Sequence, residues 1–391
     1  MGAYSIARAF HEAYHINSIV MSTVPTGPVH KSTIIINVIE QNMRELNAIK
    51  NRLVKIEKSS QNIPKILIGS DDWHVELIIK LKNYLGKEWI IPYISYDLFK
   101  MITDKSRFYD ICEQLDIDCP KTIVVNMKEF TDIPFITFNY PVVVKPSNSV
   151  EYQSLNFLGK KKAYIVYNET ELRQIIHSIK YGGYQDKLLV QEFIPGDDTA
   201  MHVLTCYSST DRIMKFASMG QTLLEDHTPG GIGNPLAILT ANHKQVINQA
   251  EKLLNNIGYL GYSNFDIKFD WRDRKFKFFE INARLGRSNY YVTGQRHNIA
   301  KYYVEDFIQK RWLNFSIGSE EILFTLVPKH LLIKNLKGNE VLIQKVKDLY
   351  NKGEIKHPLR YYPTENNIKR KLYEISSTMN YYLKFKKHPR T

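Results

Sequence analysis

Two short stretches late in the chain alternate apolar and polar side chains with the period of a half-buried strand. They are Phe265-Asp266-Ile267-Lys268-Phe269-Asp270 and Lys277-Phe278-Phe279-Glu280-Ile281-Asn282. The charged run 271–275 between them predicts a hairpin, so that Asp266, Glu280 and Asn282 project from one face of two paired strands. Nearer the start the pattern predicts a helix over 3–14, a strand over 18–23, a mixed stretch over 33–47, a strong strand over 65–69 and a helix over 71–85. That rhythm belongs to a parallel sheet with crossover helices. A glycine turn into a helix usually follows a strand in such sheets, so a first strand missing ahead of Gly2 is one reading of this start.

In the middle of the chain a helix begins at Thr103-Asp104-Lys105 and ends over 115–120, and a strand follows over 122–125. The apolar run Tyr140-Pro141-Val142-Val143-Val144-Lys145-Pro146-Ser147 predicts a strand that ends on a lysine. Residues 147–162 are polar, carry Ser147, Asn148, Ser149 and Gly159, and finish in three lysines, which predicts a loop between strands. A helix over 169–179 leads to a buried strand that breaks at Pro195-Gly196. Past residue 310 the chain reads as partly helical over 329–352, and 370–390 interleaves basic residues with Tyr373, Tyr381, Tyr382 and Phe385. Two readings of that last stretch stand: a helix packed on the core with a solvated outer face, or a basic amphipathic helix making peripheral contact with an acidic membrane.

Length suits two or three domains, and the expected division is 1–100, 101–195, 196–310 and a basic C-terminal helical extension over 311–391. A formal net charge of +13 favours anionic partners, yet no nucleic-acid module is present, so nucleic-acid binding is not expected. Three cysteines, Cys112, Cys119 and Cys206, show no metal-type spacing, and an odd count argues against a disulfide framework. With no run of eighteen apolar residues and no signal-like opening, a cytoplasmic protein is expected. His11-Glu12-Ala13-Tyr14-His15 matches a zinc-protease pattern, but no third ligand is evident nearby, and a short amphipathic helix accounts for the residues better.

The hairpin's oxygen ligands suit Mg²⁺, which is held by one or two carboxylates together with substrate phosphates. Arg284, two residues past Asn282, lies on the same side and can meet anionic oxygens. Lys145 can hold a phosphate as a point charge, and the 147–162 stretch can cover it. Main-chain groups freed at the Pro195-Gly196 break can pair with an adenine edge, with a following carboxylate for ribose hydroxyls. Each feature also has a plain structural reading, as a solvated strand face, a strand-end cation or an exposed loop.

Taken in order, Asp104-Lys105, VVVK at 142–145, VQEFIPGDD at 190–198, Phe265-Asp266 and FEINAR at 279–284 resemble the ATP-grasp superfamily. The phrases GAYSIARAFHEAY, PVVVKPSNSVEY, FIPGDD, EDHTPGGIGN and FEINARLGRS, spread over roughly residues 2–310, resemble most the bacterial D-aspartate ligases, carboxylate–amine ligases of peptidoglycan cross-bridge synthesis. The resemblance implies an α/β chain, α+β in its catalytic half, with a pre-ATP-grasp parallel-sheet domain, a small lid subdomain and an antiparallel-sheet catalytic domain. It implies ATP and two Mg²⁺, with Mn²⁺ as a substitute. Lys105, Lys145 and Ser149 would meet the phosphates; Gln191, Glu192 and Ile194 adenine; Asp198 the ribose; Asp266, Glu280 and Asn282 the metals; and Arg284 the acyl phosphate.

The same resemblance implies that the β-carboxyl of D-aspartate is activated and joined to the lysine ε-amine of the anionic UDP-MurNAc pentapeptide. Arg287 would pair with the donor's second carboxylate, and His227, in a glycine-rich turn, would accept the amine's proton. A homodimer is one expected assembly. One departure stands out: Asn264 occupies a place where several amino-acid ligases of the superfamily carry arginine, which leaves Arg284 to act alone. A ligase for another amino acid or peptide, and a silent nucleotide-binding protein, are the alternatives.

Overall fold

The computed structural model describes residues 1–24, 27–30, 32–133, 135–147, 149–365 and 368–389, without the side chains of 149, 150 and 153. The expected loop residue Asn148 and the side chain of Ser149 therefore lie outside the described residues. Two compact units are each assembled from separated pieces: Met1–Tyr96, Asp198–Asn264 and the chain from Asn282 onward form one, and Asp97–Asp197 with Phe265–Ile281 form the other.

The first unit opens on α1 (Gly2–Tyr14), whose Ile6, Ala9 and Phe10 join the same buried cluster as Leu236, Tyr290, Ala300 and Phe324. This packing is why Met1–Tyr96 shares a unit with much later chain. Arg8 is 5% exposed on α1, and its guanidinium lies between the rings of Tyr290 and Tyr362, 4.6 and 4.5 Å from their centres. It donates to the carbonyls of His357, Pro358 and Arg360 and pairs with Glu12 at 2.7 Å. Glu12 also accepts from Tyr290, so the acid of the HEAYH stretch serves packing.

Next come β1 (Ser18–Ser22), β2 (Ile35–Ile39), α2 (Leu46–Ser59), β3 (Lys65–Ile66), α3 (Asp72–Leu81) and β4 (Trp89–Ile90). Where one parallel sheet is expected, two parallel ladders of two strands form, β1 with β2 and β3 with β4. The strand expected over 65–69 ladders only at its start, because the Gly69 N–H turns to the Tyr93 hydroxyl at 2.8 Å.

The second unit holds α4 (Tyr96–Thr103), α5 (Lys105–Gln114), β5 (Thr122–Asn126), β6 (Val142–Pro146), α6 (Ser149–Ser154), β7 (Tyr164–Val166), α7 (Glu169–Tyr181) and β8 (Lys187–Glu192). Its sheet has the order β5-β8-β6-β7 with antiparallel neighbours. Leu172, Ile176 and Ile179, spaced along one face of α7, pack on Val142, Val144 and Val190 of that sheet. The stretch expected as a loop over 147–162 contains the short helix α6.

Later elements are β9 (Met201–Ser208), β10 (Met214–Glu225), β11 (Pro235–Thr240), α8 (Lys244–Asn256), β12 (Gly261–Asp270), β13 (Lys275–Asn282), α9 (Tyr290–Gly294), α10 (Ile299–Tyr303), β14 (Ser316–Ile317), β15 (Leu323–Thr325), α11 (Lys329–Asn335), α12 (Glu340–Lys352), β16 (Ile355–Lys356) and α13 (Ile368–Lys387). Strand order is β13-β12-β9-β10-β11-β15-β16, with β14 beside β10. The β12–β13 hairpin expected from the alternation is present, and its span Phe265–Ile281 belongs to the second unit.

The region expected as a C-terminal extension instead supplies β14, β15 and β16 to this sheet, because Ile322, Leu323 and Phe324 are apolar enough to enter the core. Tyr381 and Phe385 of α13 reach the same cluster. No helix among the described residues is long and apolar enough to cross a membrane.

A buried ion pair fastens α13. Glu365, 2% exposed, pairs with Arg370, 5% exposed, and accepts from Tyr4 at 2.9 Å, Ser32 at 2.8 Å and the Thr33 N–H at 2.5 Å. Removing one partner of such a pair strands a charge. Glu365→Ala is therefore expected to lower the unfolding free energy by about 3–5 kcal/mol, read as a shifted midpoint in urea titrations.

Candidate active site

In the second unit, α5 begins at Asp104, whose carboxylate accepts from the Ser106 N–H at 2.9 Å and from the Ser147 hydroxyl at 2.8 Å. Burial pushes that carboxyl up, and the Ser147 and Ser106 hydroxyls with two backbone N–H groups more than reverse the effect, leaving it below its usual value. The cap thereby fixes Lys105 in the first turn, with Nζ 2.9 Å from Glu280 Oε2 on β13. One turn further, the hydroxyl of Tyr109 donates to the Phe279 carbonyl at 2.7 Å and accepts from Lys145 Nζ at 3.2 Å. These bonds, with Phe278 N–H to the Asp118 carbonyl at 2.8 Å, attach the hairpin to α5 and explain its place in this unit.

Lys145 lies on β6 with its ammonium 5.6 Å from the centre of the Tyr109 ring and 5.4 Å from that of Phe279. Desolvation lowers its pKa from 10.5 to about 7, Lys105 adds repulsion, and Glu280 works in the other direction. Glu280 is held well below the usual carboxylate range, first by the charge of Lys105 and then by a hydrogen bond from Lys105 and the charge of Lys145, against the cost of burial. Asp266 on β12 is within hydrogen-bonding reach of Glu280. Lys105, Lys145, Asp266 and Glu280 form one cluster: two lysines beside two adjoining carboxyl groups.

Gln191 and Glu192 end β8. The Gln191 side chain donates to Thr122 Oγ1 at 2.7 Å, and Glu192 accepts from the Lys121 N–H at 2.9 Å and meets Arg272 at 3.3 Å. Ile194, 3% exposed, lies two residues past the end of the ladder.

The remaining expected residues fall in the first unit and are described there. Asn282, which ends β13, donates to the Asn264 carbonyl at 3.4 Å and accepts from Arg284 at 3.2 Å. Arg284 pairs with Asp72: Nη2 donates to Oδ2 at 3.1 Å, and Nε lies 3.0 Å from Oδ1. Asp198 accepts from the Glu225 N–H at 3.0 Å and lies 2.8 Å from His227 Nε2. Arg287 is exposed and adds repulsion to the Met1 amino group, whose pKa burial lowers to about 5.

Sequence reasoning missed Tyr109 and Asp72. Tyr109 is four residues after Lys105, so helical spacing alone places it on the same face. Asp72 carries no comparable signal, being 212 positions from its partner.

The cluster fits a nucleotide-binding enzyme by its donor chemistry. Adjoining carboxylates repel unless a cation lies between them, and a desolvated lysine lacks a full counter-charge until an anion arrives. Among the described residues no group of three His, Cys, Asp or Glu side chains forms a metal site.

Residues 104–295 match the family described as the carbamoyl-phosphate synthase L chain, ATP binding domain. The chain is 34% identical to the D-aspartate ligase of Enterococcus faecium (strain Aus0004) over 99% of its own length and 94% of that protein. Its fold is similar to that of an L-amino acid ligase from Bacillus licheniformis, with a TM-score of 0.54 at 12% identity, covering 78% of this chain and 71% of that one. It is also similar to the biotin carboxylase domain of the Hydrogenobacter thermophilus 2-oxoglutarate carboxylase, solved with MgADP and bicarbonate, with a TM-score of 0.56 at 14% identity over 81% and 70% of the two chains. An ATP-grasp fold, a match through the ATP-binding region and near full-length similarity to one ligase agree: the chain belongs to the ATP-grasp carboxylate–amine ligases, in the family of the D-aspartate ligase.

Proposed function

We propose that this ligase uses ATP to activate the β-carboxyl of D-aspartate as an acyl phosphate and passes it to the lysine ε-amine of the UDP-MurNAc pentapeptide, releasing ADP and phosphate. The observation that carries the reading is the Lys105–Lys145–Asp266–Glu280 cluster, in a chain that matches a D-aspartate ligase over 99% of its length. Two cations beside two carboxylates are what a triphosphate with a divalent ion needs: lysines for phosphate oxygens, carboxylates for the metal. Asp266, Glu280 and Asn282 would hold two Mg²⁺, with Mn²⁺ as a substitute, and the metal would supply charge neutralisation at the phosphates. Ile194, past the β8 ladder, has main-chain groups suited to adenine, and Arg284 and Arg287 are the cations for the carboxylates of the donor and its activated form.

The test is phosphate release from ATP across D- and L-amino acids, with and without the nucleotide pentapeptide. Release that requires D-aspartate and the pentapeptide together is expected. Release indifferent to D-aspartate would move the donor to another amino acid.

Lys145 makes a separate prediction. With a pKa near 7 in the free protein it is mostly neutral at pH 8, and a polyphosphate placed beside it draws the pKa back toward 10.5. Nucleotide binding at pH 8 should then take up about one proton, and affinity should fall as pH rises above 7. Calorimetry in two buffers of different ionisation enthalpy reads the uptake, and Lys145→Met should remove it.

A further inference from the structure

Helix α13 is amphipathic twice over. One face carries Arg370, Tyr381 and Phe385, all buried against the first unit. Around the opposite face run Ile368, Leu372, Ile375, Met379, Tyr382 and Leu383, exposed by 77, 61, 58, 62, 41 and 65%. At 100° per residue these six fall within one arc of about 100°, an unbroken apolar stripe along the helix. A continuous exposed stripe of this kind marks a contact surface.

The charges around the stripe indicate what covers it. α13 carries six basic residues, Lys369, Arg370, Lys371, Lys384, Lys386 and Lys387, against one acidic residue, Glu374. Arg370 is taken by Glu365, Lys384 by Asp226 at 2.9 Å, and Glu374 faces Arg360 at 3.7 Å. The exposed charges left beside the stripe are therefore all lysines: Lys369 and Lys371 at one end, Lys386 and Lys387 at the other.

A second copy of the helix, in either direction, would set lysines against lysines. An anionic surface meets all four. Beside the first turn lies a cavity of about 240 Å³ lined by Gly27, His30, Lys369, Arg370, Leu372 and Tyr373. With Arg370 engaged by Glu365, Lys369 is the charge it offers and the His30 ring a further hydrogen-bonding group, and Leu372 belongs both to the cavity and to the stripe. Its lining suits a phosphate headgroup whose acyl chains lie along the apolar side chains.

We infer that the outer face of α13 docks on the surface of an anionic lipid bilayer, with the stripe in the acyl boundary and the terminal lysines at the headgroups. The binding is peripheral. The helix that fixes itself to the core by one face holds the other ready for the membrane.

Vesicle co-sedimentation of the full chain tests this. Wild type should sediment with phosphatidylcholine vesicles containing roughly 30% phosphatidylglycerol and stay in solution with phosphatidylcholine alone. Ile375→Ser with Met379→Ser, and separately Lys386→Glu with Lys387→Glu, should each weaken binding about tenfold or more, with unfolding midpoints and phosphate release in solution unchanged. Raising salt from about 0.1 M to about 1 M, which shortens screening from about 10 Å to about 3 Å, should release most of the protein.

No sedimentation with anionic vesicles, or equal sedimentation of the Ile375→Ser/Met379→Ser variant, would overturn the proposal. A concentration-dependent dimer in sedimentation velocity, abolished by that variant in a protein that ignores vesicles, would assign the stripe to a second copy instead.

Discussion

Glu280→Gln should lower turnover by about 10³-fold or more while leaving the fold intact, because it keeps the shape of the side chain and removes the charge. In the free protein Glu280 is one of two adjoining carboxylates and the partner of Lys105 at 2.9 Å. An amide can still accept from Lys105, so α5 and β13 stay joined. Also untouched are the Tyr109 hydroxyl on the Phe279 carbonyl and the Phe278 N–H on that of Asp118.

On the proposed reading, what the amide lacks is the negative charge with which Glu280 would share a divalent cation with Asp266. The thermal midpoint should therefore move little, since the Lys105–Glu280 pair is 20 and 36% exposed and such pairs contribute about 1 kcal/mol or less. Steady-state kinetics over a range of Mg²⁺ concentrations check the claim. Turnover near wild type would remove Glu280 from the proposed metal ligands, and a large loss of stability would make it a structural residue instead.

The hairpin was legible because its signal is local. Period-two alternation on both sides of a charged turn needs no knowledge of the rest of the chain, and β12 and β13 follow it. Lys105 and Lys145 were legible for a similar reason, one beside a helix cap and one at a strand end. Long-range closure was not legible. Nothing in the first hundred residues shows that Ile6, Ala9 and Phe10 pack with Leu236 and Phe324, and nothing about Asp72 announces Arg284.

Apolar runs such as 65–69 read as longer strands than they form, because composition does not show where a side-chain acceptor such as the Tyr93 hydroxyl captures the backbone instead. In the last stretch the basic and aromatic residues were visible, yet their partition into a packed face and an exposed stripe is a fact of tertiary burial.

Lys145→Met should reduce turnover by about 10²–10³-fold and at the same time raise the unfolding midpoint at neutral pH. Both effects come from one cause. The ammonium lies out of water between two aromatic rings, repelled by Lys105 and only partly offset by Glu280, so the free protein bears the cost of a buried charge, the one that the proposed function assigns to a phosphate.

Methionine fills a similar volume without that cost, and without the charge. The pH dependence separates this account from simple repacking. Lys145 titrates near 7 when folded and near 10.5 when unfolded, so between those values the unfolded chain binds more protons and wild-type stability rises with pH. The advantage of the variant should accordingly be greatest at or below pH 7 and fade toward pH 10, a convergence that paired thermal melts at several pH values can read. A constant offset at every pH would mean that methionine merely packs better, and a destabilised variant would mean that the cation is already fully paired in the free enzyme.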